Sequence, residues 1–162
     1  MPSKRKQRSP VSFSDNDYGR FLASLRLFGL GLKNSSTMLD RNTYWELNSR
    51  KKGPSRKFHE NYKVTRIEDD FFESEGSFEL VVSESDLVGL RVACSFEVHI
   101  HATGNPIPRT MVERFTAAEL RLILLPYARQ FVSSITAQMQ IPPVILPLAN
   151  DVEHPSGSSP ER

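Results

Sequence analysis

The chain has 162 residues, of which 38% are apolar, and a formal net charge of +2, so it can build one domain with a hydrophobic core. No stretch approaches the roughly 20 continuous apolar residues of a membrane span, and no apolar run follows the basic N-terminus as in a secretory signal peptide. The single cysteine, Cys94, excludes an internal disulfide and a multi-cysteine zinc site, so we expect a soluble cytoplasmic protein.

Both ends of the chain read as unstructured. Residues 1–14 carry the bases Lys4, Arg5, Lys6 and Arg8 with serine and proline, which predicts a disordered basic arm. Residues 153–162 form a short polar segment that we expect to be a flexible tail. One folded domain is therefore predicted over residues 15–152.

The first elements are a short helix and a strand. Asp15 or Asn16 is suited to cap a helix that runs to about Leu27. Apolar residues then alternate with glycines from Phe28 onward, which indicates a strand that the glycines weaken. Around Gly53 and Pro54 the bases of residues 50–57 indicate an exposed loop.

The clearest local pattern runs from Leu90 to His101, where apolar and polar residues alternate strictly. This period of two predicts a strand with one buried and one solvated face. Phe78 to Val82 alternates in the same way, and Tyr62 and Val64 begin a less regular strand. A further short strand is predicted over residues 110–115, giving an antiparallel sheet with one wet face.

The second half changes to a helical period. Thr116 and Glu119 have the spacing of a capping box at a helix start. Pro126 should kink or restart this helix, and Pro142 with Pro143 should end it. The face predicted to be apolar consists of Leu120, Leu124, Tyr127, Phe131, Ile135 and Met139.

Residue patterns for catalysis are weak. His99 and His101 share one face of a strand and could hold a metal together, but two solvated histidines are the favoured interpretation. Cys94 lies on the apolar face as a core residue, and no phosphate loop or nucleophile elbow is present. We therefore predict no enzyme activity, no catalytic residue, no metal and no cofactor.

A family resemblance comes from the long helix and its exit. Leu125-Pro-Tyr-Ala-Arg129, then Val132-Ser-Ser134, then the segment from Ile141 to Leu146 with Asn150, resembles the SecB export chaperones. The strand from Val88 to Ala102 is also similar to the central strand of that family. The resemblance implies an α+β fold, in which a four-stranded antiparallel sheet packs with a long C-terminal helix, and a homo-oligomer, either a dimer or a dimer of dimers (a homotetramer).

The resemblance also implies a function and a site. Chaperones of this family hold unfolded or nascent polypeptides without ATP, in protein export among other settings. Their clients lie in apolar grooves between a crossover loop and the C-terminal element. In this chain the crossover loop corresponds to residues 40–58. The large apolar side chains of this loop and of the C-terminal segment would fit equally well as part of the hydrophobic core. The client-binding residues implied are Tyr44, Trp45, Leu47, Ile141, Val144, Ile145 and Leu146.

Charge separates this sequence from the acidic export chaperones. Its sequence pI is about 8.8, and the C-terminal tail is not acidic. Residues 68–86 hold eight acids and no base, a run that is usually a solvated face and could also dock a basic partner, so engagement of an export motor stays open. Two alternatives stay open: a dedicated chaperone of an antitoxin in a toxin–antitoxin system, and a nucleic-acid-binding regulator that uses Lys4–Arg8 and Arg50–Lys57.

Overall fold

The computed structural model describes residues 14–103 and 106–146 of the chain. The predicted tail, the basic cluster Lys4–Arg8 and all of the predicted arm except Ser14 lie outside the described residues. The elements are α1 (Asp15–Ser24), β1 (Leu25–Leu39), α2 (Arg41–Ser49), β2 (Ser55–Ile67), β3 (Phe71–Glu84), β4 (Leu87–Ala102), α3 (Arg109–Ala118) and α4 (Leu120–Gln138).

The four strands form one antiparallel sheet in the order β1-β4-β3-β2, so the predicted α+β class and sheet are confirmed. The alternation predicted from Leu90 to His101 is confirmed on β4. Its even-numbered residues from Leu90 to Ile100 are buried under the helices, and so are those of β3 from Phe72 to Val82. We call this side the helix-bearing face and the opposite side the outer face.

Two helices stand where the sequence predicted other structure. The loop predicted over residues 40–58 contains α2, which Asp40 caps by accepting the Thr43 N–H at 3.0 Å. The strand predicted over residues 110–115 is wrong, because this segment is the helix α3. Its buried residues Met111, Val112 and Phe115 have helical rather than alternating spacing.

The capping box predicted at Thr116 is also wrong. Thr116 lies inside α3, is 4% exposed, and its hydroxyl bonds the Ser74 hydroxyl of β3 at 2.9 Å. Glu119 stands between α3 and α4 and makes no side-chain cap. At the other end of the chain, the cap of α1 is Ser14 rather than Asp15 or Asn16, and α1 ends at Ser24 because β1 begins there.

The long helix α4 is confirmed, but its buried face differs from the predicted one. It continues through Pro126 and ends at Gln138, before the two prolines. Tyr127 is 45% exposed and Phe131 is only partly buried, so the predicted stripe runs along the edge of the contact. The buried seam follows steps of four residues and consists of Leu120, Leu124, Ala128, Val132 and Thr136, with Leu125 beside it.

A glycine allows the close packing of α4 on the sheet. A Cβ at Gly76 of β3 would lie 2.5 Å from Leu124 Cδ1 and 3.0 Å from Tyr62 Cε1. The helix therefore rests over the centre of β3 and β4. At one end of these strands α1 and α3 pack on Phe72 through Phe21 and Phe115, whose rings lie 6.3 Å and 5.5 Å from it.

Candidate functional site

The helix α2 is fixed at the opposite end of the sheet by close backbone contact with β4. The Asp40 N–H donates to the Gly89 carbonyl at 3.0 Å, and a Cβ at Gly89 would lie 2.7 Å from Tyr44 Cα. Only glycine permits this approach. Tyr44 and Leu47 are buried beneath the helix, at 3% and 0% exposure, whereas Trp45 is 46% exposed.

The segment after α4 is anchored by a buried threonine. Thr136 is fully buried, and its Oγ1 donates to the Val132 carbonyl at 2.8 Å and accepts the Val144 N–H at 3.1 Å. This contact fixes the chain beyond Pro142 and Pro143 against the helix. As a result Ile141, Val144 and Leu146 are buried, and Ile145 is 73% exposed.

The structure brings α2 and the segment after α4 to the same end of the molecule. The Arg41 guanidinium, at the start of α2, donates to the Met139 carbonyl, at the end of α4, over 2.9 Å. Tyr44 belongs to the same apolar core as the buried residues of the C-terminal segment. Each of the two segments buries its other large apolar side chains and leaves one of them exposed to solvent. We call this pair, Trp45 and Ile145, the terminal apolar site.

A second apolar surface, which sequence reasoning missed, lies between β1 and α4. Leu27 and Leu122 are 55% and 61% exposed and line a common recess of about 330 Å³ beside Ile100. Further along β1, Leu32 is 48% exposed and opposes Phe96, whose ring centroid lies 6.3 Å from that of Tyr127. We call Leu27, Leu32, Leu122 and Tyr127 the β1–α4 surface.

The signal for this surface was present in the sequence. Leu122 lies off the predicted stripe of α4, and the alternation of β1 is broken at two places. In the structure β1 has register shifts between Leu27 and Gly29 and between Leu32 and Asn34. The strand β1 lies at the edge of the sheet and α4 packs on β3 and β4, so Leu27 and Leu32 of β1 stay exposed.

The outer face is polar, and cations from neighbouring strands compensate its acidic residues. Lys33 Nζ lies 3.0 Å from Glu75 and 2.8 Å from Glu97, two carboxylates that face each other across β3 and β4. Glu79 is paired with Arg91 at 3.6 Å. The glutamates of the acidic run at residues 68–86 are therefore paired with cations of the chain itself, whereas Asp69 and Asp86 have no ion pair among the described residues.

The two histidines predicted on one strand face do share the outer face. His99 Nδ1 lies 3.1 Å from Glu73 Oε1, and His101 packs between the rings of Phe28 and Phe71, with centroids at 5.2 Å and 5.9 Å. Within residues 14–103 and 106–146, no group of three or more histidines, cysteines and acids has a metal-binding arrangement. The side chains present here form ion pairs and ring contacts.

Cys94 occupies the core position that the sequence predicted. It lies on the helix-bearing face of β4 at 4% exposure, and burial raises the pKa of its thiol to about 11. A thiol with such a pKa is protonated at neutral pH and is a poor nucleophile.

Comparison with known proteins gives a fold. No protein-family model and no curated protein matches the sequence. Among solved structures, the SecB-like chaperone Rv1957 of Mycobacterium tuberculosis, in complex with a ChAD peptide from the HigA1 antitoxin, is 16% identical, with a TM-score of 0.67 over 83% of this chain and 97% of that one. A protein of unknown function from Streptococcus agalactiae is 12% identical, with a TM-score of 0.46 over 76% of this chain and 97% of that one.

The first of these matches shows that the chain has the SecB-like fold. This fold agrees with the resemblance drawn from the α4 segment. No helix in the described part of the chain is long and apolar enough to cross a membrane.

Proposed function

We propose that this chain, which has the SecB-like fold, is an ATP-independent holdase that binds unfolded polypeptide segments and acts in the cytoplasm without catalysis. One observation carries the proposal. The framework buries its own core fully, yet it holds large apolar side chains in solvent at two surfaces on the helix-bearing side. In this proposal Trp45 and Ile145 contact clients, whereas Leu27, Leu32 and Leu122 contact another copy of the chain.

Burial of apolar area supplies the binding energy for such a function. Full burial of one Ile or Leu side chain contributes about 1.5–3 kcal/mol, and this contribution is independent of the sequence that covers it. Trp45 adds a large ring that packs edge-on against the buried Tyr44, with the ring centroids 5.5 Å apart. A client that covers Trp45 and Ile145 together therefore gains affinity without specific hydrogen bonds, which suits varied clients.

We further propose that the β1–α4 surface joins copies of the chain into a homo-oligomer. An exposed apolar patch formed by an edge strand and a helix is a common basis for self-association. Leu122→Asp should then reduce the mass of the assembly in light scattering, whereas Phe28→Ser on the outer face should leave it unchanged. An unchanged mass for Leu122→Asp would show that this surface is not the interface.

A dedicated role with one antitoxin is the second candidate. The structural neighbour from Mycobacterium tuberculosis was solved with an antitoxin peptide, and the sequence pI of about 8.8 departs from the acidic export chaperones. A dedicated chaperone would bind one peptide tightly and protect other clients poorly. A general holdase, in export or elsewhere, would protect several unrelated clients with similar efficiency.

The test is suppression of aggregation by the full chain, without nucleotide, on several unrelated unfolded proteins. Stoichiometric protection is expected, and the double variant Trp45→Ser/Ile145→Ser should lose most of it. Phe28→Ser is the matched control, because Phe28 is 79% exposed but lies on the outer face at the other end of β4. No protection of any client, or equal loss in both variants, would refute the proposal.

A further inference from the structure

We propose that the terminal apolar site selects polypeptide segments whose apolar anchor is flanked by acidic residues. This inference rests on the proposed function and names the class of client. It comes from the basic segment that follows α2 directly.

The segment from α2 to the start of β2 has a strong excess of positive charge. Residues 40–57 contain six bases against two acids. The two acids are already engaged: Asp40 caps α2, and Glu46 pairs with Arg50 at 2.5 Å. Arg50 also pairs with Glu84 of β3.

Four further bases of this segment have no partner among the described residues. Their side chains make no ion pair or hydrogen bond there, and all four residues are exposed: Lys51, Lys52, Arg56 and Lys57. The one uncompensated acid in the neighbouring hairpin is Asp86, which has no ion pair within the described part. The surface beside α2 therefore carries a net positive charge that the chain does not neutralise.

Three of these cations lie on the side of the apolar anchor positions, whereas Lys57 opposes Val81 and projects to the outer face. The Arg50 N–H donates to the Leu47 carbonyl and the Gly53 N–H to the Arg50 carbonyl at 2.9 Å, so the chain turns tightly at the end of α2. Trp45 lies about 6 Å from the end of α2 at Ser49, at the helical rise of 1.5 Å per residue, and Lys51 and Lys52 follow two and three residues later in this turn. Arg56 opposes Val82, which is buried on the helix-bearing face, so Arg56 projects to the side of the sheet on which α2 lies.

The distance from Trp45 to the cations and the sign of their charge together indicate the class of client. A segment with an apolar residue on Trp45 reaches the cations about three residues away at the extended rise of about 3.3 Å per residue. A carboxylate at that position meets uncompensated positive charge, whereas a lysine or arginine meets repulsion. Charge complementarity at the rim of an apolar site raises the association rate and excludes wrong partners.

The experiment uses the full chain and short fluorescent peptides that share one leucine- and phenylalanine-rich core. The flanks are aspartate and glutamate, lysine and arginine, or serine and glycine. In low salt the acid-flanked peptide should bind about ten-fold more tightly than the base-flanked one, a difference that several exposed ion pairs can supply. High salt should remove most of this difference, because the charges are exposed and therefore screened.

A matched pair of variants locates the effect. Lys51→Glu/Lys52→Glu should reverse the preference between acidic and basic flanks. Arg20→Glu/Arg26→Glu makes the same change in net charge at exposed positions beside α1, at the other end of the sheet, and should preserve the preference.

The outcomes separate this inference from the proposed function. If all three peptides bind equally in both variants, the holdase proposal stands and the charge selection is wrong. If no peptide binds but a single-stranded oligo-dT binds with steep salt dependence, both are wrong and the loop serves nucleic acid. If the preference survives Lys51→Glu/Lys52→Glu, another group sets it and the inference is overturned.

Discussion

The hydrogen bond between Ser74 and Thr116 offers a direct test of how α3 packs on the sheet. Both residues are almost fully buried, at 0% and 4% exposure, and their hydroxyls are 2.9 Å apart. Thr116→Val keeps the shape of the side chain but leaves the Ser74 hydroxyl without this partner in an apolar layer. We expect the free energy of unfolding to fall by about 1–3 kcal/mol, the cost of a buried polar group that lacks its partner.

A double-mutant cycle isolates this term. Ser74→Ala alone should also destabilise the fold, and Ser74→Ala/Thr116→Val should cost clearly less than the sum of the two single variants. Urea unfolding at one fixed protein concentration measures all four proteins, since self-association would otherwise shift the midpoints. Glu119→Gln is the control and should change the stability by less than about 0.5 kcal/mol.

The absence of this coupling would refute the packing of Thr116 in α3 against Ser74 in β3. If Thr116 capped a helix with Glu119, as the sequence pattern suggested, then Glu119→Gln would destabilise the protein and Ser74→Ala would not couple to Thr116→Val. A coupling energy near zero together with a costly Glu119→Gln would place residues 110–115 outside a helix.

Three further predictions concern single sites. Burial raises the pKa of Glu75, but its ion pairs with Lys33 and Lys63 outweigh burial and hold the pKa below the usual 4.5. The ionised form of Glu75 therefore stabilises the fold above about pH 4.5. This stabilisation is lost as the pH falls through the pKa of the folded state. Titration of the unfolding midpoint should show a smaller acid loss in Glu75→Gln. Cys94 should react with a thiol reagent at pH 8 only after unfolding, because it is 4% exposed with a pKa of about 11; rapid labelling of the native protein would contradict this. Gly89→Ala should weaken client binding more than Gly31→Ala. A Cβ at Gly89 would meet the Tyr44 backbone at 2.7 Å, whereas one at Gly31 meets nothing within 4 Å. Equal affinities of the two variants would show that the position of α2 on β4 does not affect client binding.

The parts of the fold that the sequence predicted are those with long, unbroken periods. The strand β4 alternates over more than ten residues, and α4 repeats over five turns, so each pattern outweighs local exceptions. In α4 even this long pattern misplaced the buried face, because Leu124 and Leu125 both pack inward and rotate the contact away from Tyr127.

The parts that it missed are short or irregular. The helices α2 and α3 have nine and ten residues, too few for the helical period to stand out from a loop or a strand. In β1 two register shifts interrupt the alternation, so only its first half was visible as a strand. The sequence pointed to both segments of the candidate site but not to the residue of each that faces solvent. That depends on the close packing of α2 on Gly89 and on the hydrogen bond between Thr136 and Val144.

The geometry of the fold explains why apolar surface stays open on the helix-bearing side. The strands have 13–16 residues, and α4 has 19. At about 3.3 Å per strand residue the sheet is roughly 45–50 Å long, while α4 at 1.5 Å per residue spans only about 28 Å. The short helices α1, α2 and α3 cover the ends, and Leu27 and Leu32 of β1 stay exposed on the helix-bearing side.

On the outer face the carboxylates and cations satisfy one another over the centre of the sheet, and Phe28 and Met38 on β1 are exposed there. Uncovered apolar area is thus concentrated on the side where α2, α4 and β1 meet solvent. On the holdase proposal, a client at the terminal apolar site brings its charges close to the cations that follow α2, whereas a chain on the β1–α4 surface brings them close to Glu119, which lines that recess.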